Sequence, residues 1–214
     1  MKLIVITSGC FFDGEPEAIN RLFGYGMETL HVRKPQASFE GTRRFVEQID
    51  ATFHPRTVIH DYYELTRLFH LKGIHLNRRN RNVPRPCFPP GDRELSVSRS
   101  CHSLEEVAAV SAGVDYMFLS PVFDSISKAG YKQGYTPEQL CDARDRGLVN
   151  TRVMALGGIT AERIPAVRHY GFGGVAVLGA LWTEAVTDGD TDELRQRFDA
   201  LRTACRDDGD CPAK

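Results

Sequence analysis

Eight short runs of β-branched or apolar residues recur along this chain, and most are followed by a stretch with helical sequence signals. The runs are Leu3–Thr7, Thr29–Val32, Thr57–Ile59, Gly73–Leu76, Glu94–Val97, Tyr116–Leu119, Arg152–Ala155 and Gly174–Val177. Strands that alternate with helices form parallel sheets, because the chain must cross back along the sheet after each strand. Eight such units predict an α/β fold of the (β/α)8 type, a TIM barrel.

The crossover after the fourth strand departs from this pattern. Residues Arg78–Asp92 contain four prolines, which lack a backbone N–H and disrupt helices. We therefore predict a degenerate crossover after strand 4. An open doubly wound sheet would also accommodate this segment, but eight strands favour the barrel. In a chain of 214 residues the barrel is expected to span residues 1–206, and the polar residues 207–214 to form a disordered C-terminal tail.

Positive and negative side chains are nearly balanced, with 27 Lys and Arg residues against 28 Asp and Glu residues. Such a chain has no bulk charge to attract nucleic acid or an anionic membrane, so neither is predicted as a partner. No apolar stretch approaches the ~20 residues needed to span a bilayer. The six cysteines are scattered without a C-x-x-C pair, which favours reduced thiols and a cytoplasmic location. The sequence leaves open whether the chain forms a homodimer.

Glycines occur at equivalent positions just after the seventh and eighth predicted strands. Gly157 and Gly158 follow the seventh strand, and Leu178 and Gly179 follow the eighth. In TIM barrels, phosphate often binds to the loops after these two strands. Because glycine has no β-carbon, its backbone N–H can approach an anion closely. These loops therefore predict a phosphate site. The alternative is that the glycines only turn each strand into the next helix.

Two basic side chains share one face of the second predicted strand. Alternation puts His31 and Arg33 on the face opposite to Leu30 and Val32. Since apolar residues face the helices, the basic pair is expected inside the barrel, where an unpaired charge is costly. A ligand phosphate or carboxylate would satisfy Arg33. An internal ion pair with Asp61 is the alternative.

The third predicted strand ends in His60 and Asp61. A carboxylate at the carboxyl end of a barrel strand is a candidate ligand for Mg²⁺, which proteins usually hold with one or two carboxylates and substrate phosphates. Asp61 is equally suited to cap the helix that follows. The residue type does not decide between these roles.

Hydroxyl groups accompany the fifth and sixth predicted strands. The fifth strand is expected to place Ser96 and Ser98 inward. After the sixth strand, Ser125, Ser127 and Lys128 stand in a glycine-containing loop. Two hydroxyls and an ammonium suit a cluster of anionic oxygens, and this loop is placed to close over a ligand as a lid.

Taken in chain order, these motifs resemble the thiamine phosphate synthase family and its thiazole tautomerase branch. The matching motifs are Val32-Arg33, His60-Asp61, Gly73-Ile74-His75-Leu76, Ser96-Val97-Ser98, Asp115-Tyr116, Ser120-Pro121-Val122-Phe123, Ser125-Ile126-Ser127-Lys128, Ala155-Leu156-Gly157-Gly158-Ile159 and Gly174-Val175-Ala176-Val177. The resemblance extends from Leu3 to about Ala180. Its most specific part is Ser-Pro-Val-Phe followed by Ser-x-Ser-Lys and the Gly-Gly-Ile loop.

The resemblance implies an enzyme of thiamine biosynthesis, a transferase that joins hydroxymethylpyrimidine diphosphate to thiazole phosphate. Its partners would be these small phosphorylated substrates, and its cofactor would be Mg²⁺ held by Asp61. Arg33, Lys128 and Ser98 would form the catalytic group. The residues implied in binding substrate and phosphate are His31, His60, Ser125, Ser127, Gly157, Gly158, Leu178 and Gly179.

Five positions depart from the pattern of one branch or the other. The synthases usually have glutamine at His31, lysine at Pro35, asparagine at His60 and a second metal-binding acid at Asn80. The tautomerases have a proton-transferring histidine at Pro121. Two alternatives to a synthase therefore stay open. One is a metal-independent, tautomerase-like isomerase, and the other is a non-catalytic barrel that binds phosphorylated thiamine precursors.

Overall fold

The computed structural model describes residues 1–81, 95–110, 113–124 and 134–206. Its strands are β1 (Lys2–Ile6), β2 (Thr29–Val32), β3 (Thr57–Ile59), β4 (Gly73–Leu76), β5 (Ser96–Cys101), β6 (Tyr116–Leu119), β7 (Val153–Leu156) and β8 (Gly174–Val177). Neighbouring strands pair in parallel in chain order, and β8 pairs with β1 to close the sheet. The predicted TIM barrel is confirmed.

Helices follow most of the strands in the described part of the chain. The described helices are α1 (Glu15–Gly24), α2 (Phe39–Glu47), α3 (Leu65–Phe69), α4 (Leu104–Val110), α5 (Pro137–Asp145), α6 (Ile164–His169), α7 (Glu184–Thr187) and α8 (Thr191–Arg206), with short 3-10 helices at Ala51–Arg56 and Ala161–Arg163. Most of the predicted degenerate crossover and all of the predicted tail lie outside the described residues. In the part of the chain that is described, no helix is both long and apolar enough to cross a membrane.

The fifth strand lies further along the chain than predicted. The prediction placed it at Glu94–Val97 because of the apolar Leu95 and Val97, but β5 runs from Ser96 to Cys101 and pairs with β4 and β6. Its inward side chains are serines that hydrogen-bond inside the barrel. Apolar periodicity could not detect a strand whose buried face is polar.

The core has two layers on either side of the sheet. The inner layer fills the barrel and contains Ile4, Ile6, Tyr116, Phe118, Met154 and Ala176. The outer layer, which includes Val5, Leu30 and Val177, packs the strands against the helices. Since successive strand residues point to opposite faces, Ile4 and Ile6 face inward and Val5 faces outward. The buried polar residues His31, His75 and Ser98 have no exposed surface and lie among the strands.

Candidate active site

A cavity of about 550 Å³ opens at the carboxyl ends of the strands. It is lined by residues from the ends of most strands, among them Ile6, Arg33, His60, Asn77, Arg78, Arg79, Ser100, His102, Ser120, Pro121, Gly157, Gly158, Leu178, Gly179 and Ala180. Three of the described lining residues are arginines, and none of them is an acid. Such a lining favours a ligand with several negative charges.

The loops after β7 and β8 supply backbone donors to this cavity. Gly157 and Gly158 have φ angles of +97° and +64°, in the left-handed region that favours glycine. A β-carbon on Gly158 would lie 2.3 Å from the carbonyl oxygen of Asp124, so only glycine fits there. Among the described residues, none accepts a hydrogen bond from the backbone N–H of Gly158, Gly179 or Ala180. These donors are arranged to bind an anion such as a phosphate group.

Arg33 lies directly after β2, at the cavity wall. Thr7 fixes its backbone, because Arg33 N donates to Thr7 Oγ1 at 2.9 Å and Thr7 Oγ1 donates to the Arg33 carbonyl at 3.1 Å. Burial lowers the pKa of Arg33, and the nearby positive charge of Arg79 lowers it further. The alternative of an Arg33–Asp61 ion pair is not what the structure contains, since Asp61 pairs with Arg79. Within the described chain, the Arg33 guanidinium forms no ion pair.

Asp61 follows β3, and two neighbours from the turn after β4 occupy its carboxylate. Arg79 Nη2 donates to both Asp61 oxygens, at 3.1 and 2.9 Å. Asn80 Nδ2 donates to Asp61 Oδ1 at 2.8 Å. The N-cap residue of α3 is Glu64, so Asp61 does not cap the helix that follows it. Its side chain is bound to the β4 turn instead.

These contacts do not fit a magnesium ion beside Asp61 in the observed arrangement. Magnesium requires free oxygen ligands, whereas the Asp61 oxygens accept hydrogen bonds and face the positive charge of Arg79. Asn80 turns its amide NH₂ group towards the carboxylate, and therefore offers a donor where a metal would need an acceptor. The role of Asp61 as a magnesium ligand stays a prediction.

Three histidines lie together at the base of the cavity. His31 Nδ1 lies 2.9 Å from His60 Nε2, and His31 Nε2 lies 2.7 Å from the Tyr116 hydroxyl. His75 stacks on His60 with ring centres 4.1 Å apart. Burial lowers the pKa of all three imidazoles, that of His75 to about 3. The three rings are therefore neutral near pH 7.

Hydrogen bonds account for this histidine group without a metal. The candidate ligand nitrogens of His31, His60 and His75 lie within 4.8 Å of one another. However, His75 Nδ1 contacts Ser98 Oγ and His75 Nε2 contacts Ser100 Oγ, both at 2.8 Å. Both His75 nitrogens therefore have partners, and the group forms a polar layer of the core.

The predicted site residues separate into three sets. Those that line the cavity are Arg33, His60, Gly157, Gly158, Leu178 and Gly179. His31 and Ser98 lie deeper in the barrel and have no exposed surface. Their side chains hydrogen-bond to other side chains inside the barrel. Ser125, Ser127 and Lys128 lie outside the described residues. The catalytic and binding roles given to these residues stay predictions.

Sequence reasoning did not identify Arg79 and Ser100 as residues of the cavity. Alternation along β5 would have placed Ser100 on the same face as Ser98. His102 Nδ1 lies 3.2 Å from the Ser120 carbonyl, which joins the ends of β5 and β6. For Arg79 no local signal exists, because its position depends on a turn that folds back onto β3.

Comparison with known proteins assigns the family. The family model described as thiamine monophosphate synthase matches residues 3–181. The chain belongs to this family. Curated relatives include the thiamine-phosphate synthases of Levilactobacillus brevis, 32% identical over 145 residues, and of Geobacillus kaustophilus, 30% identical over 146 residues. These alignments cover 66% and 68% of this chain and 65% of each relative, so the chain spans less than two thirds of either relative's length.

Solved structures of the same family have similar folds. The thiamine phosphate pyrophosphorylase of Bacteroides thetaiotaomicron is 37% identical, with a TM-score of 0.81 over 95% of this chain and 97% of that chain. The corresponding protein of Pyrococcus furiosus is 20% identical, with a TM-score of 0.72 over 95% of each chain. At 20% identity the second comparison supports the fold alone. The first, at 37% identity, also agrees with the family assignment.

Proposed function

We propose that this chain is a transferase of thiamine biosynthesis, which joins hydroxymethylpyrimidine diphosphate to thiazole phosphate. The observation that carries the proposal is that two groups of anion-binding donors face one cavity. The arginines follow β2 and β4, and the glycine N–H groups follow β7 and β8. In an eight-stranded barrel β4 is opposite β8, so Arg78 and Arg79 lie across the cavity from the β8 loop. This arrangement suits a pair of substrates that each carry phosphate.

The reaction breaks the bond between the pyrimidine methylene carbon and the diphosphate oxygen, and the thiazole nitrogen forms the new bond to that carbon. Negative charge therefore builds on the departing diphosphate. Fixed cations lower the energy of that transition state because they are oriented before the charge develops. Arg33 supplies such a cation, with its backbone held by Thr7. Lys128, which lies outside the described residues, is a second candidate from the sequence.

The glycine loops have a different role in this scheme. Backbone N–H groups of Gly158 and Gly179 bind the thiazole phosphate, which does not react, and so hold the thiazole ring in place. His60 and His102 also line the cavity. The four described cysteines, Cys10, Cys101, Cys141 and Cys205, are free thiols, which supports a cytoplasmic location as part of the proposal.

Substrate omission tests this function. The purified chain is incubated with both substrates, with each substrate alone and with neither, and released diphosphate is measured. A transferase releases diphosphate only when both substrates are present. Release from the pyrimidine diphosphate alone would indicate a hydrolase. No release, together with binding of both substrates, would instead support the non-catalytic barrel.

A tautomerase-like isomerase is the second candidate, because His60 and His102 border the cavity and could exchange protons with a ligand there. His60 is hydrogen-bonded to His31, and His31 to the Tyr116 hydroxyl, so a proton taken up by His60 can pass to these groups inside the barrel. Such an enzyme would convert a non-aromatic thiazole precursor to the aromatic isomer in the presence of a chelator. The change in ultraviolet absorbance on aromatisation measures this activity directly.

A further inference from the structure

The guanidinium of Arg79 lies beside Asp61, where the family resemblance implies a magnesium ion. Its Nη2 atom contacts both carboxylate oxygens, at 3.1 and 2.9 Å. This places a permanent positive charge next to the carboxylate, since arginine stays protonated at all ordinary pH values. The pair is partly buried, with the Asp61 side chain 18% exposed.

The turn that carries Arg79 is fixed to the end of β3. Asn77 Oδ1 accepts hydrogen bonds from Arg79 N at 2.9 Å and from Asn80 N at 3.2 Å. Asn77 Nδ2 in turn donates to the His60 carbonyl at 3.1 Å. Asn80 holds Asp61 from the other side. The guanidinium is therefore oriented before any ligand arrives, as an electrostatic binding site requires.

Arg79 also has N–H groups that are available to bind a ligand. Both of its contacts with Asp61 use Nη2, and no described residue accepts a hydrogen bond from its Nε or Nη1. Arg33 and Arg78 line the same cavity. The charge of Arg79 acts on Arg33 strongly enough to lower the Arg33 pKa, second only to burial. Neighbouring guanidiniums repel each other, and an anion between them removes that repulsion.

We propose that Arg79, held by Asp61, is the cation that binds the diphosphate group, so that this site binds diphosphate without a divalent metal. Arg33 contacts the same group from β2. The carboxylate of Asp61 then positions a guanidinium and does not coordinate a metal. The inference rests on the proposed function for the identity of the ligand, and it concerns how that ligand is bound.

Calorimetric titration with inorganic diphosphate tests the proposal. The protein is first measured in a chelator and then in magnesium. We expect binding in the chelator, with a Kd that magnesium changes by less than about threefold. Arg79→Gln should weaken binding in the chelator by about tenfold or more, since hydrogen bonds to charged groups are lost. Arg67→Gln, an exposed arginine of α3 that does not line the cavity, should bind as the unaltered protein does.

A second variant restores an acid where the resemblance implies one. Arg79→Ala combined with Asn80→Asp removes the guanidinium and adds a carboxylate beside Asp61. We expect this double variant to bind diphosphate only when magnesium is present. The proposal is overturned if the unaltered protein binds diphosphate only with magnesium, or if Arg79→Gln binds as tightly as the unaltered protein.

The outcomes separate this proposal from the proposed function. Turnover of both substrates in magnesium, with no diphosphate binding in the chelator, would overturn the metal-free site and leave the transferase intact. Diphosphate binding in the chelator without any turnover would support the metal-free site and contradict the transferase. The same two buffers serve both experiments, so the results are directly comparable.

Discussion

His31 and His75 occupy one buried layer of the barrel, with their ring centres 5.3 Å apart and with no exposed surface. Burial lowers the pKa of both imidazoles, and that of His75 to about 3. Each is neutral in the folded protein near pH 7 and has hydrogen-bond partners inside the barrel. The layer is thus built for neutral rings, and protonation must disrupt it.

Stability should therefore fall as the pH is lowered. The unfolded histidines titrate near pH 6.5, whereas the folded ones stay neutral, so below that value the unfolded chain binds the extra protons. The free energy of unfolding should decrease by about 1.4 kcal/mol per pH unit for each such histidine as pH falls below 6.5. Urea unfolding at several pH values between 5 and 8 measures this slope. His75→Gln should reduce this slope by about 1.4 kcal/mol per pH unit, and an unchanged slope would argue against His75 as a source of the acid sensitivity.

A buried ion pair lies beside β1 and β2. Lys34 Nζ is 2.5 Å from Glu15 Oε2, and the two side chains are 1% and 0% exposed. Burial raises the pKa of Glu15 to about 7 despite this partner. Lys34→Met would leave the carboxylate without its cation and should cost about 3–5 kcal/mol at pH 8.5.

The cost of Lys34→Met should be smaller at pH 5.5. Removing Lys34, whose charge lowers the pKa of Glu15, should raise that pKa further, so lowering the pH to 5.5 protonates the carboxyl group and removes the unpaired charge. Chemical denaturation at both pH values measures the difference. Adding Glu15→Gln should restore much of the loss at pH 8.5, and equal losses at the two pH values would argue against an unpaired charge as the cause.

Gly158 and Gly147 provide a matched pair for the phosphate loop. Both have positive φ angles, +64° and +73°, but only at Gly158 would a β-carbon meet other atoms. Alanine at Gly147 should cost about 1–2 kcal/mol of stability through backbone strain, and alanine at Gly158 should cost more because its β-carbon would also clash with the Asp124 carbonyl. Only Gly158→Ala should also weaken thiazole phosphate binding, by about tenfold or more, because the loop must move. Calorimetry on the two variants distinguishes these effects, and equal affinities would remove Gly158 from the phosphate site.

Arg33→Gln tests the proposed stabilisation of the leaving diphosphate. Loss of a preorganised charge that acts in the transition state should lower kcat by about 10²–10³-fold. Arg146→Gln, on an exposed arginine beyond α5, is the control and should leave kcat unchanged. Steady-state kinetics on both variants give the comparison. A change confined to KM would mean that Arg33 binds substrate without contributing to the chemical step.

Local sequence patterns predicted the parts of the fold that they encode, whereas contacts between distant parts of the chain could not be predicted. Strand-helix alternation repeats locally, so the barrel and the glycine loops of β7 and β8 could be predicted from spacing alone. The end of β5 could not, because its inward residues Ser98 and Ser100 are polar and depend on His75 from β4. The Asp61–Arg79 pair joins residues 18 positions apart through a turn fixed by Asn77. No periodicity in the chain encodes that contact.

The proposed reaction joins two phosphorylated substrates in this cavity and releases diphosphate. One measurement decides it: thiamine phosphate and diphosphate are quantified from the same incubation of the unaltered protein with both substrates, in chelator and in magnesium. We predict that the two products form in equal amounts and that formation continues in the chelator. Absence of thiamine phosphate in both buffers, with both substrates still bound, would show that this chain is not a transferase.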